Sequence, residues 1–213
     1  MKFVVASLAV FVAACTIALP GQNRAMAAGK GFDDSMPRAQ QIKLAMTAAP
    51  PDVSGRATIY VLGPHGFEKA REGTNGVSCL IDRSFEGAVS MSIEPKCFDP
   101  EGTRAFLPIS LRTEQLRAMG KTEAEVNADI LRGYKDGRFH APSKPGLIYM
   151  LSKVNVVPMN PQNTRFAHVP GHLMFYAPYM KREDLGYTST SSKMVPYLAD
   201  PGTPYAMMIV IPK

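Results

Sequence analysis

The sequence has few cysteines, few apolar runs and no cluster of charge of one sign. None of the three cysteines lies in a Cys-x-x-Cys pair, which excludes thioredoxin-like redox and haem-attachment motifs. After Leu19 no apolar run is long enough to span a bilayer, so no transmembrane span is predicted in the mature chain. The formal net charge of +6 is spread among acidic neighbours, as at Lys181-Arg182-Glu183-Asp184, which argues against nucleic-acid binding.

Complete catalytic motifs are also missing. The stretch Thr190-Ser-Ser-Lys193 has threonine where the Ser-x-x-Lys enzymes carry their serine. Gly120-Lys121-Thr122 lacks the first glycine of a phosphate-binding loop, because residue 115 is glutamine. No cofactor is therefore predicted. A content of 46% hydrophobic and 20% charged residues is typical of a globular protein with one packed core.

The amino terminus has the organisation of an export signal. Lys2 precedes an apolar run from residue 3 to 19, Pro20-Gly21 interrupts it, and Ala25-Met26-Ala27 is a cleavage site, which predicts a signal peptide over residues 1–27. The alternative is a lipobox ending at Cys15, which would be lipidated and anchor the chain to the bacterial envelope. Both alternatives predict an exported protein, either periplasmic or secreted, or lipid-anchored. Residues 28–34 are expected to form a flexible arm and residues 35–213 a single domain.

Two cysteines remain in the mature chain. Cys79 and Cys97 are 18 positions apart, and export to an oxidising compartment predicts that they pair. Closing such a loop stabilises a fold by about 3 kcal/mol on the chain-entropy model. The alternative, a nucleophilic Cys79, requires an activating base beside the thiol.

The pattern along the chain predicts helices and strands in alternating groups. A capping box, Thr122-Glu-Ala-Glu125, marks the start of the best-defined helix. Asn75-Gly76 predicts a tight turn joining strands 67–71 and 77–82 into a hairpin. The other predicted elements are helix 35–49 capped by Ser35, a helical block over 113–136, and strands 57–62, 88–94 (ending just before Cys97), 147–151, 173–176 and 206–211. This order predicts an α+β fold, a mostly antiparallel sheet with helices packed on one face in a single domain.

Histidines and tyrosines supply the candidate site residues. His168 and His172 are four positions apart, which would allow a two-histidine metal site that His140 or His65 would complete. Pro170-Gly171 favours the alternative, a loop whose histidines point to the backbone or to solvent. The aromatic stretch 170–179 either packs in the core or lines a pocket, and the residues chosen for a ligand pocket are His140, His172, Tyr176 and Tyr179. The acids Asp82, Glu94, Asp99 and Glu101 are expected on exposed loops; the alternative is a pair for glycoside hydrolysis.

Several segments together resemble a group of uncharacterised exported bacterial proteins. These are Asn75-Gly76-Val-Ser-Cys79, Pro145-Gly146-Leu-Ile-Tyr-Met-Leu-Ser152, His172-Leu-Met-Phe-Tyr-Ala-Pro178 and the end from Gly202-Thr-Pro204 to Pro212. The resemblance implies an exported bacterial domain and transfers no catalytic residues.

Three classes of function follow. The first is a non-catalytic domain that binds an unknown small molecule or an envelope partner. The second is a periplasmic hydrolase, with or without a metal, that uses His140, His168 or His172. The third is a structural envelope protein.

Overall fold

The structure, a computed structural model, describes residues 36–83, 92–158, 166–186 and 197–212. The helices in these ranges are α1 (Arg38–Met46), α2 (Pro51–Ser54), α3 (Pro100–Ala105), α4 (Leu107–Ala118) and α5 (Glu123–Lys135), with a 3₁₀ turn at Glu183–Leu185. The strands are β1 (Thr58–Gly63), β2 (Gly66–Arg71), β3 (Ser78–Asp82), β4 (Glu94–Phe98), β5 (Leu147–Met150), β6 (Val156–Pro158), β7 (Phe166–His168), β8 (His172–Tyr176), β9 (Tyr197–Ala199) and β10 (Met207–Val210). Among the described residues, no helix combines the length and the apolar character needed to cross a membrane.

Eight strands form one sheet in the order β2-β1-β3-β4-β5-β8-β10-β9, and β6 and β7 form a separate pair. Every neighbouring pair of the large sheet is antiparallel except β1 and β3, which are parallel. The predicted α+β class with a mostly antiparallel sheet is therefore confirmed.

The predicted hairpin around Asn75-Gly76 is wrong. β2 pairs with β1 through a tight turn in which Gly63 faces Gly66, and Gly66 has a φ of 108° that favours glycine. The Asn75 side chain instead donates to the Val53 carbonyl and accepts from the Val77 amide. Asn75 thus directs the chain back past the start of β1, so that β3 runs parallel to β1 on its other side.

Only the last part of the strand predicted over residues 88–94 lies within the described ranges. Residues 88–91 lie outside the described ranges, and β4 begins at Glu94, so Cys97 lies within the strand and not beyond its end. Cys97 is directly opposite Cys79 in the β3/β4 ladder, and their sulfur atoms are 2.02 Å apart. The predicted pairing of the two cysteines is confirmed.

Helices contact both faces of the sheet, and neighbouring residues of a strand point to opposite faces. Leu80 and Phe98 join the hydrophobic cluster that includes residues of α3, α4 and α5, whereas Cys79, Ile81 and Cys97 join the cluster that includes α1. α1 is shorter than the helix predicted over 35–49, and its predicted cap Ser35 lies outside the described ranges.

The helical block predicted from residue 113 begins earlier, at Pro100. The Asp99 carboxylate accepts from the Gly102 amide at 2.7 Å and caps α3, and prolines occupy the first turns of α3 and α4, where a missing N–H costs little. The capping box of α5 is confirmed: the Glu125 amide donates to the Thr122 hydroxyl, and the Thr122 amide donates to the Glu125 carboxylate. These caps fix where α3 and α5 begin.

Candidate binding cavity

A cavity of about 450 Å³ lies between the sheet and helices α4 and α5. Strands β3, β4, β5, β8 and β10 contribute one side and the two helices the other. Its lining residues are Asp82, Glu94, Lys96, Phe98, Phe106, Ile109, Ser110, Asn127, Ile130, Leu131, Tyr134, Ile148, Met174, Asp200, Tyr205 and Met207.

The cavity is largely apolar and partly open to solvent. Buried side chains such as Phe98, Ile109 and Ile148 form its walls. Asn127, Leu131 and Asp200 are exposed and define the mouth, where Leu131 is 50% exposed. A molecule entering between α5 and the chain near Asp200 would therefore move from solvent into an apolar space.

One wall of the cavity carries charge. Asp82, Glu94 and Lys96, here called the charged wall, project from the same face of β3 and β4, because Asp82 is opposite Glu94 and Lys96 is two positions further along the strand. The Lys96 ammonium lies 3.3 Å from Asp82 Oδ2 and 3.1 Å from Glu94 Oε2. The Ser110 hydroxyl of α4 donates to the same Asp82 oxygen at 3.0 Å. None of the three charged side chains is more than 9% exposed.

The lysine of the charged wall remains protonated although it is buried. Burial lowers the pKa of the Lys96 ammonium, but attraction to Asp82 and Glu94 and the hydrogen bonds to both outweigh this effect and raise the pKa above its usual value. One ammonium is thus shared by two carboxylate side chains, and the wall carries a formal excess of one negative charge.

Two polar atoms of the lining residues have no hydrogen-bond partner among the described residues. These are Glu94 Oε1 and the Tyr134 hydroxyl, both of which are buried. The Tyr134 ring lies 5.8 Å from the Tyr205 ring, and burial, followed by the proximity of Tyr205 and Tyr179, raises the pKa of the Tyr134 phenol. Buried polar atoms are normally paired, so these two atoms are unsatisfied hydrogen-bonding groups of residues that line the cavity.

A second group of charges fixes α4 to the sheet beside the cavity. The buried Glu114 carboxylate pairs with Arg83 at the end of β3 and with Arg117, and Arg117 also binds Glu123 of α5. Ser110 and Glu114 lie one turn apart on α4, and their partners Asp82 and Arg83 are neighbours in the sequence. α4 is therefore held to the end of β3 at two neighbouring points, one of which belongs to the charged wall.

The residues predicted as a metal site are in different environments. His168 is exposed on β7 opposite Val156, whereas His172 is buried on β8 and its Nδ1 donates to the Pro170 carbonyl at 2.9 Å. His65 and His140 are exposed, His65 at the β1–β2 turn and His140 after α5. Among the described residues, no group of three or more histidine, cysteine, aspartate or glutamate side chains is arranged to hold a metal ion.

The predicted ligand residues lie outside the lining of the cavity. The Tyr176 hydroxyl donates to Asp99 Oδ1 and contacts the Leu147 carbonyl at 2.7 and 2.9 Å, and its ring packs on Phe106 at 5.1 Å between centroids. Tyr179 is 61% exposed, with a φ of 64°, and its amide donates to the Thr203 carbonyl. Tyr176 thus joins β8 to the cap of α3, while Tyr179 lies close enough to Tyr134 to affect the pKa of its phenol.

The expectation that Asp82 and Glu94 lie on exposed loops is wrong. Both end or begin strands and are buried, with exposed fractions of 2% and 7%. Lys96 was not a predicted site residue. The only feature of the sequence that places Glu94 and Lys96 on one side of a strand is their alternation with Pro95 and Cys97. The same alternation is typical of a strand with one face in water, so it does not indicate a buried site.

Lower pH should destabilise the fold through His172. Burial lowers the pKa of this histidine below its usual value and nearby Lys96 adds to the effect, against the Pro170 hydrogen bond and Glu94. As the pH falls below about 6.5, His172 becomes protonated in the unfolded chain while it stays neutral in the folded chain. The free energy of unfolding therefore decreases until the pH reaches the lower pKa of His172 in the folded chain. Urea unfolding between about pH 7.5 and 5.5 should show a shallower decrease for His172→Gln. The exposed His140→Gln should keep the original slope; equal slopes for all three proteins would contradict the prediction.

Comparison of the chain with protein families, curated proteins and solved structures gives no match.

Proposed function

We propose that this chain is an exported protein that binds a small organic molecule, with a mainly apolar body, in the cavity between the sheet and helices α4 and α5. The observation that carries the proposal is the cavity itself. Its volume of about 450 Å³ lies within the range of small-molecule sites, which combine apolar walls with a few polar groups.

Export is supported by two independent features. Residues 1–27 have the order of a signal peptide. A buried cysteine pair at bonding distance suits a compartment in which disulfides persist. The resemblance to exported bacterial proteins adds to this proposal.

The lining suggests how a ligand would be held. Its apolar body would contact Phe106 and Ile109 from the helix side and Met174 and Met207 from the strand side. The methionines suit this task because their flexible thioethers adapt to ligands of different shape. The unpartnered Glu94 Oε1 and Tyr134 hydroxyl would fix the orientation of a polar group.

The test is a fluorescence titration that measures the affinity for N-phenyl-1-naphthylamine, a neutral apolar dye. It compares the original chain with two variants in which a methionine is replaced by tryptophan. Met174→Trp places a larger side chain inside the cavity, and Met119→Trp makes the same change at a position that is 64% exposed and outside the lining. We expect Met174→Trp to weaken dye binding by about tenfold or more, since the ring would occupy the ligand's space, and Met119→Trp to leave it unchanged.

Thermal unfolding of both variants checks that they remain folded. Should Met174→Trp fail to fold, Leu131→Trp at the mouth provides the same test at a half-exposed position. Equal dye affinities in the original chain and in the folded cavity variants would show that the cavity is not the binding site.

A further inference from the structure

The charged wall is incompletely balanced. Lys96 contacts one oxygen of Asp82 and one of Glu94, and Ser110 contacts the Asp82 oxygen that the lysine already binds. The second Asp82 oxygen accepts from the Arg83 amide at 2.9 Å. Glu94 Oε1 is left with no partner among the described residues, although Glu94 is more than nine-tenths buried and lines the cavity.

A buried carboxylate oxygen without a partner is costly, and the cost is greatest where the surroundings carry excess charge of the same sign. A neutral donor would supply the missing hydrogen bond only. A ligand ammonium would supply that bond and would also cancel the formal excess negative charge of the wall. Phe106 and Tyr134, which line the same cavity, are aromatic residues, and aromatic rings attract cations.

We propose that the cavity selects an organic cation, an alkyl- or arylalkyl-ammonium whose N–H group binds Glu94 Oε1 while its apolar body fills the space between Ile109, Ile130 and Met174. This inference rests on the proposed function, because it specifies the ligand class of the same cavity. An anionic ligand of the same shape is rejected, since its charge would add to that of Asp82 and Glu94.

Three probes of matched shape test the selectivity: 4-phenylbutylamine, 4-phenylbutanol and 4-phenylbutanoate. They share one apolar body and differ in charge at neutral pH. Their affinities are measured by displacement of N-phenyl-1-naphthylamine and by calorimetry. We expect the amine to bind at least about tenfold more tightly than the alcohol, because hydrogen bonds between charged groups are stronger than neutral ones. The carboxylate should bind most weakly, because its charge has the same sign as those of Asp82 and Glu94.

Glu94→Gln removes the charge and keeps the shape of the side chain. It should reduce the preference for the amine over the alcohol to about twofold or less and leave the alcohol affinity nearly unchanged. The matched control is Glu72→Gln, which removes an acid that pairs with Lys69 on the surface, with 70% of its side chain exposed. The control should keep the full preference for the amine.

A second variant keeps the proposal testable if Glu94→Gln unfolds. Lys96→Met removes the internal ammonium and leaves two buried carboxylates, which an ammonium ligand can partly neutralise. We therefore expect 4-phenylbutylamine to raise the melting temperature of Lys96→Met more than that of the original chain, and 4-phenylbutanol to raise both equally.

The outcomes separate this inference from the proposed function. Equal binding of amine and alcohol, with Met174→Trp still blocking both, would overturn the cation selectivity and leave the cavity as the binding site. A preference for the amine that persists in Glu94→Gln, or an equal effect of the amine on Lys96→Met and on the original chain, would overturn the role of the charged wall. Absence of binding by every probe, including the dye, would overturn the proposed function.

Discussion

Replacing Glu114 by glutamine should lower the free energy of unfolding by about 3–5 kcal/mol, the effect seen when one member of a buried ion pair is removed. The Glu114 side chain is completely buried, and its carboxylate accepts from Arg83 and Arg117. Arg117 retains Glu123 as a partner at 2.7 Å, but Arg83, which is only 12% exposed at its side chain, loses the carboxylate that balances it. The expected result is a guanidinium held out of water beside a neutral amide.

Urea unfolding followed by circular dichroism measures this loss. Glu72→Gln is the matched control, because its pair with Lys69 is mostly exposed and such pairs contribute little to stability. A Glu114→Gln protein that is no less stable than the control would contradict the role of Glu114 in holding α4 to the end of β3.

Loss of the Cys79–Cys97 link should destabilise the fold by about 3 kcal/mol, as the chain-entropy model gives for closing a loop of this size. The two cysteines are 18 positions apart and both are completely buried. Most of the effect is expected in the unfolded chain, which gains conformational freedom once the loop is open.

The measurement compares the urea midpoint of the oxidised chain, the reduced chain and the double variant Cys79→Ala/Cys97→Ala. Reductant should shift the midpoint of the original chain and have no effect on the double variant. Before reduction neither cysteine should react with iodoacetamide in denaturant. Full alkylation of both residues in native material, without reductant, would show that the link does not form.

The elements predicted best are those set by local chemistry. α5 is recognised from its capping box and its apolar stripe, and the cysteine pair from the number of cysteines and the expected compartment. The pairing of strands was not predictable in the same way. Two turns contain glycine, one at residues 63–66 and one at Asn75-Gly76, and the hairpin of β1 and β2 forms at the first. The parallel pairing of β1 with β3 joins residues 20 positions apart, such as Ile59 and Cys79, and no local pattern in the sequence indicates it.

The candidate site was missed for a related reason. Glu94 and Lys96 alternate with Pro95 and Cys97, as charged residues do on a strand that faces water. In this fold the charged side of β4 faces the helix layer, and α1 covers the other side. Burial of Lys96 depends on where α4 and α5 pack, and no short window of sequence contains that information.

The position of the cysteine pair has a consequence for the ligand site. A slip of one residue between two strands would turn every side chain of the moving strand to the opposite face. Cys79 and Cys97 are direct partners, next to the Leu80–Lys96 pair and three steps from Asp82–Glu94. In the oxidised chain the disulfide fixes the register of β3 and β4, and this register brings Asp82, Glu94 and Lys96 together. Formation of the disulfide therefore determines which charged groups line the cavity.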